Sequence, residues 1–172
     1  ARYGYERGNI TTEAFYARVS EAVAAEGLDR ETFTRAWCEG FTLNRETLEL
    51  VKEVKAAGYA VAILSDANPA HTEFIKRNFP EVAAIKPYYR SNEIGAMKSD
   101  GSAAFDIVCE RLDAGPEEIL FIDDKPENVN NATMQGLVFT GAPALREGLA
   151  AAGILAHSAE RIAQSGDRQT AD

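Results

Sequence analysis

The chain has 172 residues, 45% of them hydrophobic and 26% charged, with a formal net charge of −9. That length suits one domain with a sizeable core and a small appended element, and the balance is that of an ordinary soluble globular protein. So acidic a chain is repelled by nucleic-acid backbones and anionic lipid surfaces, and no apolar run nears the roughly 20 residues needed to span a bilayer, so both kinds of partner are excluded.

Residues 1 to about 57 read as helices only. Ile10-Thr11-Thr12-Glu13 is a helix start with a threonine cap, after which Phe15, Val19, Ala22 and Val23 share one face. A second short helix follows Asp29. A third begins at Asn44, turns Leu48, Val51 and Val54 inward and stops at Gly58. From Tyr59 the pattern becomes alternating strand and helix. Tyr59–Leu64 is an apolar run too short for a buried helix, and a helix over 69–78 follows it. A weaker strand lies near Ile85–Tyr89. A helix starting near Ser102 carries Phe105, Val108, Cys109 and Leu112 at helical spacing and breaks at Gly115-Pro116. Glu118–Ile122 is the clearest strand. Another helix runs to Gly136, and Leu137–Thr140 is a last short strand. This alternation predicts an α/β fold, a Rossmann-like parallel sheet flanked by helices. The chain divides into a partial helical cap over 1–45, the α/β core over 46–156 and a polar, disordered tail over 157–172.

The opening Ala1-Arg2-Tyr3-Gly4-Tyr5 contains no signal-peptide core. Cys38, Cys109, His71 and His157 stand in no metal-ligand spacing, so neither a disulfide framework nor a zinc site is expected, and the expected setting is the reducing cytoplasm.

Ligands of open parallel sheets bind beyond the carboxyl ends of the strands. Ser65-Asp66 ends the first strand, Lys98 lies in the loop after the second, and Asp123-Asp124 ends the third. A hydroxyl, an ammonium and a carboxylate pair at one sheet edge suit a phosphoryl group. The hydroxyl donates to a phosphate oxygen, the lysine neutralises charge and the carboxylates hold Mg2+. Each feature alone has an ordinary reading. Ser65-Asp66-Ala67-Asn68-Pro69 is also a helix-capping turn, most lysines are solvated, and Asp124-Lys125-Pro126-Glu127 is also a capping box. Asp123 is harder to dismiss, because two adjacent carboxylates repel each other without a cation.

The order and spacing are more specific. Leu64-Ser65, then Lys98 33 residues on, then Asp123-Asp124 25 residues further resemble motifs II, III and IV of the haloacid dehalogenase (HAD) superfamily. Ser91–Lys98 is similar to the approach to motif III, and Phe121–Asp124 with Asn128 is similar to motif IV. Residues 6–16 and Leu64–Asn68 with His71-Thr72 resemble its glucose-1-phosphatase-like branch, whose members carry a helical cap. The resemblance covers roughly residues 5–155. It implies that Ser65, with Asp66 beside it, binds phosphate and that Lys98 neutralises the phosphoryl and nucleophile charges. It implies that Asp124 ligates Mg2+ with Asp123 as ligand or neighbour, and that Asn128 braces that loop. The implied activity is Mg2+-dependent hydrolysis of a small phosphorylated metabolite through an aspartyl-phosphate. Tyr3, Tyr5, Phe15, Tyr16 and Trp37 would either shape the substrate pocket or pack the cap helices.

Three departures stand out. The family's nucleophile sits in an Asp-x-Asp motif on a central strand, and neither precedes residue 5 here. Without it two strand edges face each other unpaired, so the expectation is that roughly 10–40 more residues lie upstream, the length of a strand plus a connection. Another chain could instead fill the gap by strand exchange or homo-oligomer formation. The alternative function is a catalytically inactive binding or regulatory protein, or a truncated fragment. Asp66 stands where the family usually has asparagine, and a carboxylate there opposes phosphate unless it turns away. Ser99-Asp100-Gly101 replaces Pro-Asp-Pro, which predicts a looser loop around Lys98.

Overall fold

Asp29, Asn44 and Asn68 each place a side-chain oxygen on the amide three residues ahead, at Thr32 (2.9 Å), Thr47 (3.0 Å) and His71 (3.0 Å). Each satisfies an amide that the first helical turn leaves without a partner. The computed structural model describes residues 1–22 and 29–156. Val23 of the first amphipathic face and the polar tail over 157–172 lie outside the described residues.

The N-terminal segment is helical: α1 (Arg2–Glu6), α2 (Thr12–Ala22) and α3 (Arg30–Cys38). Tyr5, Phe15 and Phe33 are buried together, with Ile10, Tyr16, Val19 and Trp37 packed around them. Tyr5 stacks on Phe15, with ring centroids 4.5 Å apart. These rings pack the helices, Tyr3 is 64% exposed, and Ala22 faces solvent rather than the core.

Helix α4 (Arg45–Ala56) leads into β1 (Ile63–Ser65), α5 (Pro69–Asn78), α6 (Pro80–Ala83), β2 (Tyr88–Arg90), α7 (Ser91–Ile94) and α8 (Ala103–Leu112). Then come β3 (Leu120–Asp123), α9 (Pro126–Asn131), β4 (Gln135–Val138) and α10 (Ala142–Ala151). Strands β1 and β2 pair in parallel, with Ser65 opposite Arg90, and β3 and β4 pair in parallel, with Asp123 opposite Val138. Leu120 and Ile122 pack toward Leu50, Leu145 and Leu149 of α4 and α10. Phe121, between them in sequence, packs with Phe105 of α8, and Leu64 of β1 joins that cluster. The period-2 alternation of a strand therefore puts helices on both faces of the sheet. No helix among the described residues is long and apolar enough to cross a membrane.

Several boundaries differ from the sequence expectation. Leu48 is buried as expected and Leu50 is buried with it, while Val51 and Val54 are half-buried. The first strand covers only Ile63–Ser65 rather than the whole apolar run from Tyr59, because β2 is three residues long and pairs along one edge only. The helix expected to reach Gly136 stops at Asn131, and Gly136 lies inside β4. A Cβ on Gly136 would stand 2.4 Å from Val129 Cγ1, so this glycine permits close approach of β4 to α9 and does not end a helix.

The two strand pairs form separate sheets. Between them lies a cavity of about 670 Å³, lined by Ala62, Ile63 and Leu64 on one side and Leu120, Phe121 and Ile122 on the other. Protein interiors hold few voids larger than a water molecule, so a space of this size is a feature of the architecture. The outer edges of β1 and β3 both border it.

Gly8 follows α1 at φ +77, and a Cβ there would stand 2.4 Å from the backbone oxygen of Asn92. Gly8→Ala is predicted to cost about 1–3 kcal/mol in urea unfolding, from backbone strain and displacement of that carbonyl. Gly40→Ala, with nothing within 4 Å of the added carbon, is the control and should stay within about 0.5 kcal/mol of the parent.

Candidate active site

Strand β3 ends by burying Asp123 at 8% exposure. Its Oδ1 accepts from the Lys125 amide (2.9 Å) and from Asn128 Nδ2 (2.8 Å), and Asn128 is buried too. Its Oδ2 receives the Lys98 ammonium at 2.5 Å, with the two side chains 12% and 6% exposed. Burial pushes the Asp123 carboxyl up, but the Lys98 ammonium, the Lys125 amide and Asn128 together hold it below the usual aspartate value. Asn128 thus ties Asp123 to the helix that follows β3. The expected capping box does not form: Lys125 is the residue before the helix and caps nothing with its side chain, so Asp124 is left exposed.

Lys98 is fixed along its backbone as well. Its amide donates to Asp66 Oδ1 (3.0 Å), and its carbonyl accepts from Asn131 Nδ2 (3.1 Å). Asp66 therefore turns its carboxylate onto the lysine loop, which answers how an acid can stand at this position. Burial pushes Asp66 above the usual aspartate value, and the Lys98 amide and ammonium only partly offset that. Because one lysine touches the residue after β1 and the last residue of β3, the carboxyl ends of both strands meet at one edge. Ser65 is half-buried, and its side chain stands beside the Tyr88 hydroxyl.

The loop is not loose. Asp100 Oδ2 accepts from the Met97 amide (3.0 Å) and from Arg7 Nε (2.9 Å), and Asp100 Oδ1 pairs with the terminal guanidinium nitrogen of Arg7. Ser91 is fully buried, accepting from the Ala67 amide (3.0 Å) and donating to the Glu6 carbonyl (2.5 Å). Arg7, Asp100 and Ser91 escaped assignment from sequence. Substitution of Pro-Asp-Pro by Ser-Asp-Gly kept the aspartate, and that retained acid was the available signal. Among the described residues no cluster of three or more His, Cys, Asp or Glu side chains able to hold a metal forms. Asp123 spends both oxygens on protein donors, while Asp124 carries an exposed carboxylate beside it.

Asp66→Asn keeps an oxygen for the Lys98 amide and removes a half-buried charge. Because the folded-state value of Asp66 is raised, the protein pays least for it when it is protonated and most once pH has risen through that value. Asp66→Asn should therefore raise stability at pH 7 relative to the parent, with the gain shrinking as pH falls toward the unfolded value of about 3.9. Urea unfolding at pH 7 and pH 4 checks this, and a gain that grows on acidification contradicts it.

The sequence pattern of the haloacid dehalogenase-like hydrolase family matches residues 5–130. Among solved structures, a HAD-family enzyme from Bacteroides thetaiotaomicron superposes with a TM-score of 0.72 at 24% identity, covering 79% of this chain and 73% of its own. It was crystallised as an aspartate-to-alanine mutant with magnesium and inorganic phosphate. A predicted HAD-like family hydrolase from Porphyromonas gingivalis superposes with a TM-score of 0.73 at 23% identity, covering 86% of this chain and 77% of its own.

Proposed function

The chain belongs to the haloacid dehalogenase-like hydrolase family, and from that premise we propose that it serves Mg2+-dependent hydrolysis of a small phosphomonoester, with the nucleophile on a further strand outside residues 1–172. The observation that carries this reading is the Lys98–Asp123 ion pair at the shared carboxyl edge of β1 and β3, directly beside an apolar cavity bordered by both strand edges.

An apolar strand seated in the cavity would pair with β1 and β3 at once, giving the backbone groups on both edges partners. Leaving such a group buried and unpaired costs about 1–3 kcal/mol. Several of them weigh heavily against a net stability of about 5–15 kcal/mol. A carboxylate at the carboxyl end of that strand would emerge between Ser65 and Asp123. There it would attack phosphorus, forming an aspartyl-phosphate as the ester P–O bond breaks and the leaving oxygen takes a proton. Water would then release inorganic phosphate and restore the carboxylate.

This chain's own residues would do the rest. Ser65 donates to a phosphate oxygen. Lys98 neutralises charge on the phosphoryl group and on the attacking carboxylate. Asp66 and Asn131 hold Lys98 in place, and Asn128 holds Asp123. Asp124, exposed and without a partner among the described residues, is the carboxylate suited to a magnesium ion, with Asp123 beside it. Magnesium takes about six oxygen ligands, many of them water and phosphate, so one or two protein carboxylates fit its habit, and bound there it would supply charge neutralisation at the phosphate. The Bacteroides enzyme's magnesium and phosphate complex supports the same chemistry for this chain.

The test is p-nitrophenyl phosphate hydrolysis by the protein extended with an apolar strand ending in Asp-x-Asp, compared with residues 1–172 alone. Turnover is expected only in the extended form and only with magnesium. Lys98→Ala or Asp124→Asn should lower kcat by on the order of 100-fold or more, as expected for groups that stabilise transition-state charge or hold the metal. Turnover that persists in both variants, or in the presence of a chelator, would overturn the reading.

A further inference from the structure

Arg7 lies just after α1, far in sequence from the site, yet its guanidinium forks onto Asp100. Asp100 closes a turn around Lys98: its carboxylate takes the Met97 amide, and its own amide donates to the Met97 carbonyl at 2.9 Å. Lys98 stands inside that turn with its amide on Asp66. The segment carrying Arg7 is itself held tightly against the core. The Glu6 carbonyl accepts from Ser91, the Tyr5 hydroxyl accepts from the Ala70 amide at 3.3 Å, and Gly8 lies where a Cβ would strike Asn92.

We propose that Arg7 is a positioning residue for Lys98, so that the helical N-terminal segment sets the lysine through Asp100. The geometry favours this over a surface ion pair of no consequence. A guanidinium fork fixes the plane of the Asp100 carboxylate, and one oxygen of that carboxylate already serves the turn that presents Lys98. Exposed pairs usually contribute little to global stability, so the effect should be local to the loop and not a loss of the fold. Seating of α1 against Ser91 and Asn92 then becomes a condition for the lysine to stand where Asp123 and a phosphate can use it. The proposal deepens the phosphohydrolase reading but has a readout that does not depend on turnover.

That readout is amide hydrogen exchange in the 172-residue protein. Arg7→Ala and Asp100→Asn should each speed exchange of the Met97 and Lys98 amides by about tenfold or more while leaving the β3–β4 amides unchanged, the signature of local opening. Arg7→Lys should recover part of the protection. Arg2→Ala, a nearby arginine paired with Glu6 instead, should leave the Lys98 loop as it was. Unchanged exchange at Met97 and Lys98 in Arg7→Ala would overturn the proposal, and so would equal acceleration in β3–β4, which would mean a general loss of stability. In a form of the protein that turns over, Arg7→Ala should lower kcat more than it changes KM. If no form turns over, the hydrolase reading fails while the exchange result still decides the role of Arg7. If turnover occurs and exchange is unmoved, this proposal alone fails.

Discussion

One buried ion pair, between Lys98 and Asp123, joins two parts of a sheet that share no strand pairing. Strands β1 and β2 lie on one side of an apolar cavity and β3 and β4 on the other. The lysine loop, hung from Asp66 after β1, reaches across to the last residue of β3. Burying two charges is expensive, and such a pair repays the cost only when its remaining hydrogen-bonding capacity is met. Asn128 and the Lys125 amide complete Asp123, and Asp66, Asn131 and the Met97–Asp100 turn hold the backbone of Lys98. The site and the junction of the two half-sheets are therefore one structure.

This arrangement also explains the contrast between the adjacent acids. Asp123 is buried and held below the ordinary aspartate range because a cation and two further donors face it. Asp124, one residue on, leaves the strand and faces water. The end of β3 at Asp123 thus turns one Asp-Asp pair into a structural anchor and an exposed carboxylate. Asp66 is a third case: it is half-buried, its contact is mainly with a backbone amide, and the desolvation of its carboxylate prevails.

Helix starts are legible in the local sequence. Asp29, Asn44 and Asn68 cap their helices as their side chains dictate, and the proline after Asn68 begins α5. Asp123 is legible because an apolar strand ending in two acids has few ordinary explanations, whereas Lys98 and Asn128 stand out only through the resemblance to the family motifs. What escaped was tertiary. The full run Tyr59–Leu64 is apolar enough for a strand, yet a ladder extends only as far as its partner, and β2 supplies three residues. Gly136 looks like a helix terminator but serves the packing of β4 on Val129. Asp100 looked like part of a weakened turn because its partner, Arg7, comes from the other end of the chain. No local pattern announces an ion pair across 93 positions. The role of Asp66 was hidden for the same reason, since the amide it accepts from belongs to Lys98.

Lys98 and Asp123 form a coupled, buried pair, and a double-mutant cycle measures that coupling directly. Stability of the parent, Lys98→Ala, Asp123→Ala and the double variant would be compared by denaturant unfolding at pH 7. Each single change should cost about 3–5 kcal/mol because it strands the other charge, and the double should cost well under their sum, a coupling of about 1–3 kcal/mol. Costs that add within about 0.5 kcal/mol would mean that the two residues do not act as a pair and that something else joins the two halves of the sheet.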